Sequence, residues 1–558
     1  MNAGACNSHG DEEEEEVDNV NWHDDEDETP VNELAPKNTE VTMNQPASVP
    51  EPSHHWSQQG NRRSENPLDG MSIWAHRASH GHGSRNRFFE PPGDGEEPRK
   101  GRVYAAIEVP EPENDFTRNQ GQEAEPQPVM LECVDTSWFH SMQSNENGLL
   151  WTDIYQDAPL SVLELTNYPL PQFPEGAQPG DIAWYEFGYE SASSTESDAR
   201  HYTSLFSDGA TVKISFHEPR ALGWQGKGPM GSSGWLSQAI AKLPPDFQGL
   251  EMLRKKLAAV DCSGGVAIYD VGQGACQAAL DDELHLPQMY VDFGGGVLVN
   301  RKTFPDELVG FCFTRRPIIV LSHWDWDHWS SAYRQEASMS APWFAPPVPM
   351  KPIQQAFAAE LFARKSLHIW DTTWPAEIVG GPVRIERCTG RTINDSGLAV
   401  TLRRSAASTR NCLLPGDAAY ACIPSVAGGA SFNSLCMTHH GGRLHSTVYP
   451  KPKRGGSSTL SAGPRNSYKH PLFHTLATHL EVGWKFPIAT ALTGQRPSHV
   501  LVPWGSQPHA FQGGCHGHEC SVAIAAVVPK YGTVLKMANA NTPRKARTHV
   551  NEFDPVSR

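Results

Sequence analysis

The densest concentration of reactive side chains is the run Ser322-His323-Trp324-Asp325-Trp326-Asp327-His328, which follows the apolar stretch Pro317-Ile318-Ile319-Val320-Leu321. Four potential metal ligands, His323, Asp325, Asp327 and His328, therefore fall within six residues just past a strand that reads as buried. Two imidazoles and two carboxylates packed this closely are costly to bury without a cation, because unpaired buried charge is strongly disfavoured. The alternative is a solvated loop whose acidic residues share no partner. The strand before the run and its Trp spacers favour the metal.

Two later segments end in the same way. Asn411-Cys412-Leu413-Leu414-Pro415-Gly416-Asp417 is an apolar strand that runs into Gly-Asp, and Ser434-Leu435-Cys436-Met437-Thr438 runs into His439-His440-Gly441-Gly442. Taken singly, each has an ordinary explanation: Gly-Asp is common turn chemistry, and a His pair is often on the surface or behind a ligand. Their order after the first cluster changes that balance. Asp417 supplies a bridging carboxylate and His439 or His440 a further imidazole, which two adjacent metals would still lack.

These residues resemble the first motif of the metallo-β-lactamase superfamily, commonly His-x-His-x-Asp-His, with Asp325 where the second His is usual. This variant is most similar to the soluble hydrolase domain of the bacterial competence proteins of DNA internalisation, and it occurs in phosphorylcholine-esterase-like members. The resemblance continues in order along the chain. Ile268-Tyr269-Asp270-Val271-Gly272-Gln273-Gly274 is similar to the opening strand and Gly-Gln-Gly turn of that domain, and Tyr290-Val291-Asp292-Phe293-Gly294-Gly295 to its second strand and Asp-x-Gly turn. Ile393-Asn394-Asp395-Ser396-Gly397-Leu398 loosely resembles its Asn-Asn-x-Ser-Leu segment, and Ser461-Ala462-Gly463 with Asn466-Ser467-Tyr468-Lys469-His470-Pro471 its late signature. Coverage runs from about Cys262 to Ala491, under half of the chain. The membrane channel of the competence proteins has no counterpart here, so DNA transport is not carried over.

The resemblance implies an α/β fold, a metallo-β-lactamase-type αββα four-layer sandwich, with one metal held by His323 and Asp325 and the other by Asp327, His328 and one of His439 or His440, Asp417 bridging them. Two divalent cations about 3.5 to 4 Å apart lower the pKa of a shared water and stabilise charge developing in an in-line displacement, so the implied reaction is hydrolysis, with Asp327, Asp417 and His470 as the catalytic set. Asp325 makes the ligand set harder, so Mn²⁺ joins Zn²⁺ as a candidate. His470 either donates a hydrogen bond to a scissile phosphate or leaving group or caps the helix that begins at Pro471. The segment between Trp329 and Ile393 offers no clear third-motif ligand. His368, the only His there, reads as core or surface, and Asn394 or Asp395 would complete the sphere. Lys451, Lys453 and Arg454 form either a phosphate-binding cluster or a solvated loop. Cys515-His516-Gly517-His518-Glu519-Cys520 is too crowded for ordinary zinc-ligand spacing.

Positioning such a site requires strands that deliver polar residues at their C-terminal ends under a cover of helices. Short apolar runs at Val266–Val271, Met289–Phe293, Ile318–Leu321, Leu398–Leu402, Cys412–Leu414 and Leu435–Thr438 fit this, with helices expected at Ile353–Arg364 and Pro471–Val482. The hydrolase domain is placed at 261–535, with another strand at Ser521–Val528 and a basic tail at 536–558 that includes Arg544-Lys545-Ala546-Arg547. Residues 128–260, with scattered aromatics and turn clusters, read as a small β-rich or α+β accessory region. Residues 1–127 are polar, acidic and poor in β-branched side chains, the composition of a mostly disordered tail, with a short strand at Val103–Val109 as the exception.

The net charge of −18 resides largely in that tail: twelve carboxylates and no Lys or Arg lie between Asp11 and Glu28, which leaves the rest near −6 and carries no inference about nucleic acid. Eleven unpatterned Cys suggest a reducing compartment. With no signal-peptide pattern and no apolar run long enough for a membrane, a cytoplasmic location is expected. The leading expectation is a phosphodiesterase or nuclease acting on a phosphoester or nucleic acid. The alternatives are hydrolysis of an amide, lactam or thioester on the same site, or a metal-binding sensor that meets a protein partner through the tail or the accessory region.

Overall fold

The computed structural model describes residues 85–92, 100–111, 128–143, 158–166, 171–215, 220–224, 247–308, 310–347, 351–370, 372–444, 447–485, 487–490 and 496–511. The acidic block at 11–28, the Cys515–Cys520 run, the strand expected at Ser521–Val528 and the basic tail lie outside the described residues.

The accessory region is a β-barrel. Its strands are β1 (Lys100–Glu108), β2 (Val129–Asp135), β3 (Leu160–Leu165), β4 (Ile182–Ser191), β5 (Ala199–Tyr202), β6 (Ala210–Ile214) and β7 (Arg220–Trp224), in the order β1-β2-β3-β5-β6-β4-β7. A further antiparallel pairing of β1 with β4, from Lys100 opposite Glu190 to Glu108 opposite Ile182, closes six of these strands on themselves. Closure removes the open edges that a small sheet would otherwise expose. Strand periodicity then divides the side chains. Val103, Ala105, Ile107, Leu131, Cys133, Leu163, Tyr185 and Phe187 fill the interior. Their alternates Tyr104, Ala106, Val134, Val162 and Trp184 face outward into a second core, shared with the rest of the chain. Phe88 and Phe89 are buried in that same core. The stretch read as a polar tail thus contributes both a barrel strand and an aromatic anchor.

The larger body contains two mixed sheets. The first is built from β8 (Gly265–Ile268), β9 (Gln277–Leu280), β10 (Pro287–Val291), β11 (Ile318–Val320), β12 (Trp343–Ala345) and β13 (Leu367–Ile369). The second runs in chain order through β14 (Glu377–Gly380), β15 (Val383–Arg387), β16 (Leu398–Arg403), β17 (Asn411–Leu414), β18 (Ser431–Cys436), β19 (Lys451–Leu460) and β20 (Ile488–Ala489). The chain then returns to the first sheet as β21 (His499–Val502) and β22 (His509–Phe511), giving the order β13-β12-β11-β10-β9-β8-β21-β22. Strands β10 to β13 are parallel, as are β17 to β20.

Alternate residues of the two sheets meet in one core, in which Val266, Ile268, Met289, Val291, Ile318 and Val320 interleave with Val383, Ile385, Val400, Leu402, Cys412 and Leu414. Their neighbours Ala267, Tyr290, Ile319 and Trp343 point the other way, into the core shared with the barrel. On the second sheet, Ala399, Leu413 and Leu435 pack against Tyr420, Ile423, Val426 and Trp484. Burial on both faces is why these strands read as unbroken apolar runs. Three helices flank the sheets: α1 (Phe247–Ala258), α2 (Pro352–Ala363) and α3 (Phe473–Val482). Helix α1 lies in the segment assigned to the accessory region, yet its Leu253 and Leu257 belong to the core between the two sheets. Helix α3 starts two residues after Pro471 and has no side-chain cap at its N-terminus, so His470 does not cap it. All eight described cysteines are free thiols, seven of them buried, where they pack as small apolar groups. No helix among the described residues is long and apolar enough to cross a membrane.

Helix α2 is buried along most of its length. Its first amides need an acceptor, and the barrel supplies it: Ile353 N and Gln354 N donate to Glu132 Oε2 of β2 at 2.8 and 3.4 Å. Burial of Glu132 disfavours its charged form and outweighs Lys351 and the two amides, raising its pKa to about 7. A folded-state pKa above the unfolded one means that the protonated carboxyl stabilises the fold. That contribution, about 3 kcal/mol in scale, is present below pH 4.5 and is lost as pH rises through 7. Glu132→Gln, which keeps an acceptor and removes the charge, is expected to match wild type in thermal unfolding near pH 4.5 and to exceed it at pH 8. Equal melting temperatures at both pH values would contradict this assignment.

Candidate metal centre

The loops that follow β10 and β11 of one sheet and β17, β18 and β19 of the other meet at one rim, where the C-terminal ends of parallel strands from both sheets converge. The β11 loop carries His323 to His328, the β17 loop Asp417, and the β18 loop His439 and His440. Two groups of ligand atoms lie close enough to share an ion: His323, His328 and Asp417, and Asp327, His328 and His440.

His328 is common to both, and Asp417 of the first group also faces His440 of the second. Asp417 Oδ2 lies 3.9 Å from His323 Nε2 and 3.8 Å from His439 Nε2, while its Oδ1 lies 3.2 Å from His328 Nε2 and 3.7 Å from His440 Nε2. Asp327 Oδ2 is 3.3 Å from His440 Nε2, and Asp325 Oδ2 is 3.7 Å from His323 Nε2. His439 and His440 both adopt left-handed backbone (φ 50° and 53°), a strained conformation for two consecutive non-glycine residues, and it is this turn that aims both rings at Asp417.

The far nitrogen of each buried imidazole is already committed. His328 Nδ1 donates to Asp292 Oδ2 at 2.9 Å, and His440 Nδ1 to the Ser461 carbonyl at 2.8 Å. Ser322 Oγ donates to Asp292 Oδ2 at 2.8 Å and so accepts from His323 Nδ1 at 3.0 Å. These bonds leave the Nε2 lone pairs of His323, His328 and His440 pointing inward, and all three Nε2 atoms are buried without a hydrogen-bond partner. Carboxylate- or carbonyl-anchored imidazoles with a free second nitrogen are the usual outer support of metal ligands. The donor set fits a divalent cation. The identity of that cation is not fixed by nitrogen and carboxylate donors alone.

Electrostatics point the same way. Burial alone would raise Asp417, but His328, His439 and His440 hold its pKa well below the carboxylate range. Burial opposes charge on His328, yet Asp417 and Asp292 raise its pKa well above the ordinary imidazole value, and Asp417 and Asp327 do the same for His440. In His470 burial dominates, reinforced by His439 and His440, and the pKa falls well below its usual value. His470 is therefore a neutral ring, 5.2 Å from that of His439.

The backbone admits this crowding only where side chains are missing. Gly294, after Asp292, passes so close to the Asp327 carbonyl that a Cβ would collide with it, and neighbouring strand ends bond to the ligand loop through Ala275 N to Asp327 O and Phe293 N to His328 O, at 2.9 and 2.7 Å. Trp324 and Trp329 anchor the loop from behind, fully buried, with Trp324 Nε1 donating to Pro346 O at 2.7 Å.

A cleft of about 260 Å³ opens beside the cluster, lined by Asp325, Asn394, Asp395, Asp417, His439 and Arg443 and, from the end of β1, by Glu108 and Glu111. Asn394 thus reaches the site. Asp395 belongs to neither ligand group; its oxygens accept from Thr392 Oγ1 at 2.9 Å and Ala419 N at 2.6 Å. His368 is on β13, stacked on Phe344, and belongs to neither ligand group. The expectation for Lys451, Lys453 and Arg454 needs correction. They begin β19, where Lys451 is opposite Ser431 at the start of parallel β18, whereas the site follows Cys436 at the other end. Lys453 is spent on the Thr409 carbonyl at 2.6 Å. The guanidinium that lines the cleft is Arg443, which the sequence reading passed over. The anchors Asp292 and Ser461 lie in two of the motifs that carry the resemblance, at the ends of strands, but the sequence assigned neither a role.

No family model matches the chain, and no curated protein matches it.

His328 belongs to both ligand groups, so His328→Ala is expected to lower the divalent-metal content of the purified chain, measured by mass spectrometry, to near zero. His368→Ala and Lys451→Ala should retain the wild-type content. Retention of full metal by His328→Ala would rule out this centre.

Proposed function

We propose that the chain is a metal-dependent hydrolase of phosphodiesters with a binuclear centre of the metallo-β-lactamase type. The observation that carries this reading is the division of Asp417, one oxygen facing His323 and His439 and the other facing His328 and His440. A carboxylate with two separate pairs of imidazoles on its two oxygens has the form of a bridge. Since Nδ1 of His328 is bonded to Asp292, its Nε2 can serve one ion only. On this reading His323, Asp325, His439 and Asp417 would hold one ion, and Asp327, His328, His440 and Asp417 the other. His439 then fills the place for which the segment between Trp329 and Ile393 offered no ligand. Two stacked sheets, helices against their outer faces and a rim site at parallel strand ends support the expected αββα arrangement.

When bound, two such cations supply Lewis acidity and a water of lowered pKa. The residues of the chain do the rest. Asp292, Ser322 and the Ser461 carbonyl hold the ligand imidazoles in their orientation, and Asp417 and Asp327 keep the cluster anionic enough for divalent ions. His470, being neutral, offers a hydrogen bond to a leaving oxygen without repelling the cations. Arg443 and Asn394 line the cleft where a phosphate oxygen would lie, and Arg443 has the fork geometry that suits one. Zn²⁺ and Mn²⁺ are both compatible with this donor set.

Purified chain with Zn²⁺ or Mn²⁺ is expected to carry two ions and to hydrolyse bis(p-nitrophenyl) phosphate or a DNA strand. Asp417→Ala should lower the rate on the order of 10³-fold. Turnover of nitrocefin or a thioester with no phosphodiester cleavage would move the chemistry to acyl substrates, and a fully metallated chain inert towards all of them would refute the hydrolase reading.

A further inference from the structure

Asp325 brings a negative charge that an imidazole in its place would not, and the structure surrounds it with the means to balance that charge. Its oxygens are divided. Oδ2 faces His323 Nε2 at 3.7 Å, on the ligand side. Oδ1 faces away, accepting from Gln354 Nε2 at 3.2 Å and lying 4.0 Å from Lys351 Nζ. Lys351 directly precedes α2, and Gln354 is in its first turn, with Gln354 Oε1 accepting from Lys351 N at 3.0 Å. Backbone and side chain of one short segment thus hold a carboxylate oxygen of the site.

The lysine is an unusual residue to find there. Its side chain is only 15% exposed, and an ammonium in such a place is tolerated only among carboxylates. Three face it: Asp325, Glu108 Oε2 at 3.7 Å from the end of β1, and Glu132 of β2. Glu108 in turn is held in place, its Oε1 accepting from Ile393 N at 2.6 Å. The barrel and the α2 turn therefore deliver one fixed cation to the outer side of Asp325. At about 4 Å, in surroundings this sheltered from water, it interacts strongly with that carboxylate.

We propose that Lys351 is a positioning residue of the metal centre: from outside the ligand sphere it balances the charge of Asp325 and, with Gln354, turns the other carboxylate oxygen toward the ion shared with His323. This rests on the binuclear reading given above. The competing role is a plain structural ion pair that ties the barrel to the body through Glu108.

A double-mutant cycle separates the two. The affinity of each ion is measured by competition with a chromophoric chelator, the geometry by the visible spectrum of the Co²⁺-loaded chain, and the fold by thermal unfolding. Lys351→Met is expected to weaken one of the two ions roughly 10- to 100-fold, the range for loss of an outer support, and to change the Co²⁺ spectrum. Lys351→Arg, which keeps the charge, should restore most of the affinity. Asp325→His beside an intact Lys351 should also weaken that ion, and Asp325→His/Lys351→Met should bind it more tightly than either single variant, because carboxylate and counter-charge leave together. If Lys351→Met fails to fold, Glu108→Gln/Lys351→Met removes the lysine with its barrel partner and takes its place in the cycle. Unchanged affinities in Lys351→Met, or losses that simply multiply in the double variant, would overturn the proposal. A wild-type chain that binds no metal would instead refute the centre itself.

Discussion

The structure is arranged around the electrostatic problem of keeping Asp417 buried. A carboxylate removed from water is tolerated only where positive charge or hydrogen-bond donors replace the solvent. Here four imidazoles surround it, two on each oxygen. Inward N–H groups would serve as donors; a bound cation would take their place and needs His323, His328 and His440 held with their lone pairs inward. Asp292, Ser322 and the Ser461 carbonyl meet that condition from the ends of neighbouring strands. The constraint passes outward from there: the Asp292 loop can lie against Asp327 only if residue 294 has no side chain, and the His439-His440 turn can aim two rings at one carboxylate only in left-handed backbone.

Much of this was legible in the sequence because the chemistry is local. His323 to His328 are neighbours in the chain, and Asp417 and the His439-His440 pair each close an apolar run, so the end of a strand marked each ligand. The strands themselves were legible because both faces are buried, as at Ile318–Val320 and Cys412–Leu414. Helix α2 was placed within one residue at each end. What failed was whatever depends on direction or on distant partners. Lys451, Lys453 and Arg454 follow the His pair closely in sequence, but a parallel strand must return to its starting edge before it runs beside its neighbour, so nearness along the chain became the length of a strand in space. Phe88 and Phe89 are embedded in a polar composition, and their burial comes from surfaces contributed by residues far along the chain, whereas the strand expected at Val103–Val109 is present as β1.

The barrel illustrates the same point at the level of domains. Its interior is self-contained, yet the outward faces of β1, β2 and β3 carry Glu108, Glu132 and Glu164, all largely buried against other parts of the chain. Periodicity predicts such alternating positions to be polar and solvated in a free-standing barrel. The first meets Lys351 and Ile393 and the second the amides that open α2, both outside the barrel, whereas the third is bonded to Tyr202 of the barrel's own β5. Buried acids with specific partners on another element fix one orientation of the barrel, since any other leaves charge unpaired. A module meant to bind a separate protein would keep such groups on an accessible face.

Combining these contacts changes what the barrel is for. Glu108 and Glu111 line the cleft together with Arg443 and the candidate ligands Asp325, Asp417 and His439. Residues of the barrel therefore help to bound the space in which a substrate would lie, and the same strand end, through Glu108, braces the lysine beside Asp325. Removing the barrel would open the cleft and leave the first turn of α2 without its acceptor at Glu132. On physical grounds the barrel and the two sheets form one unit: barrel residues bound the cleft, and the candidate metal ligands lie on the rim where the sheets meet.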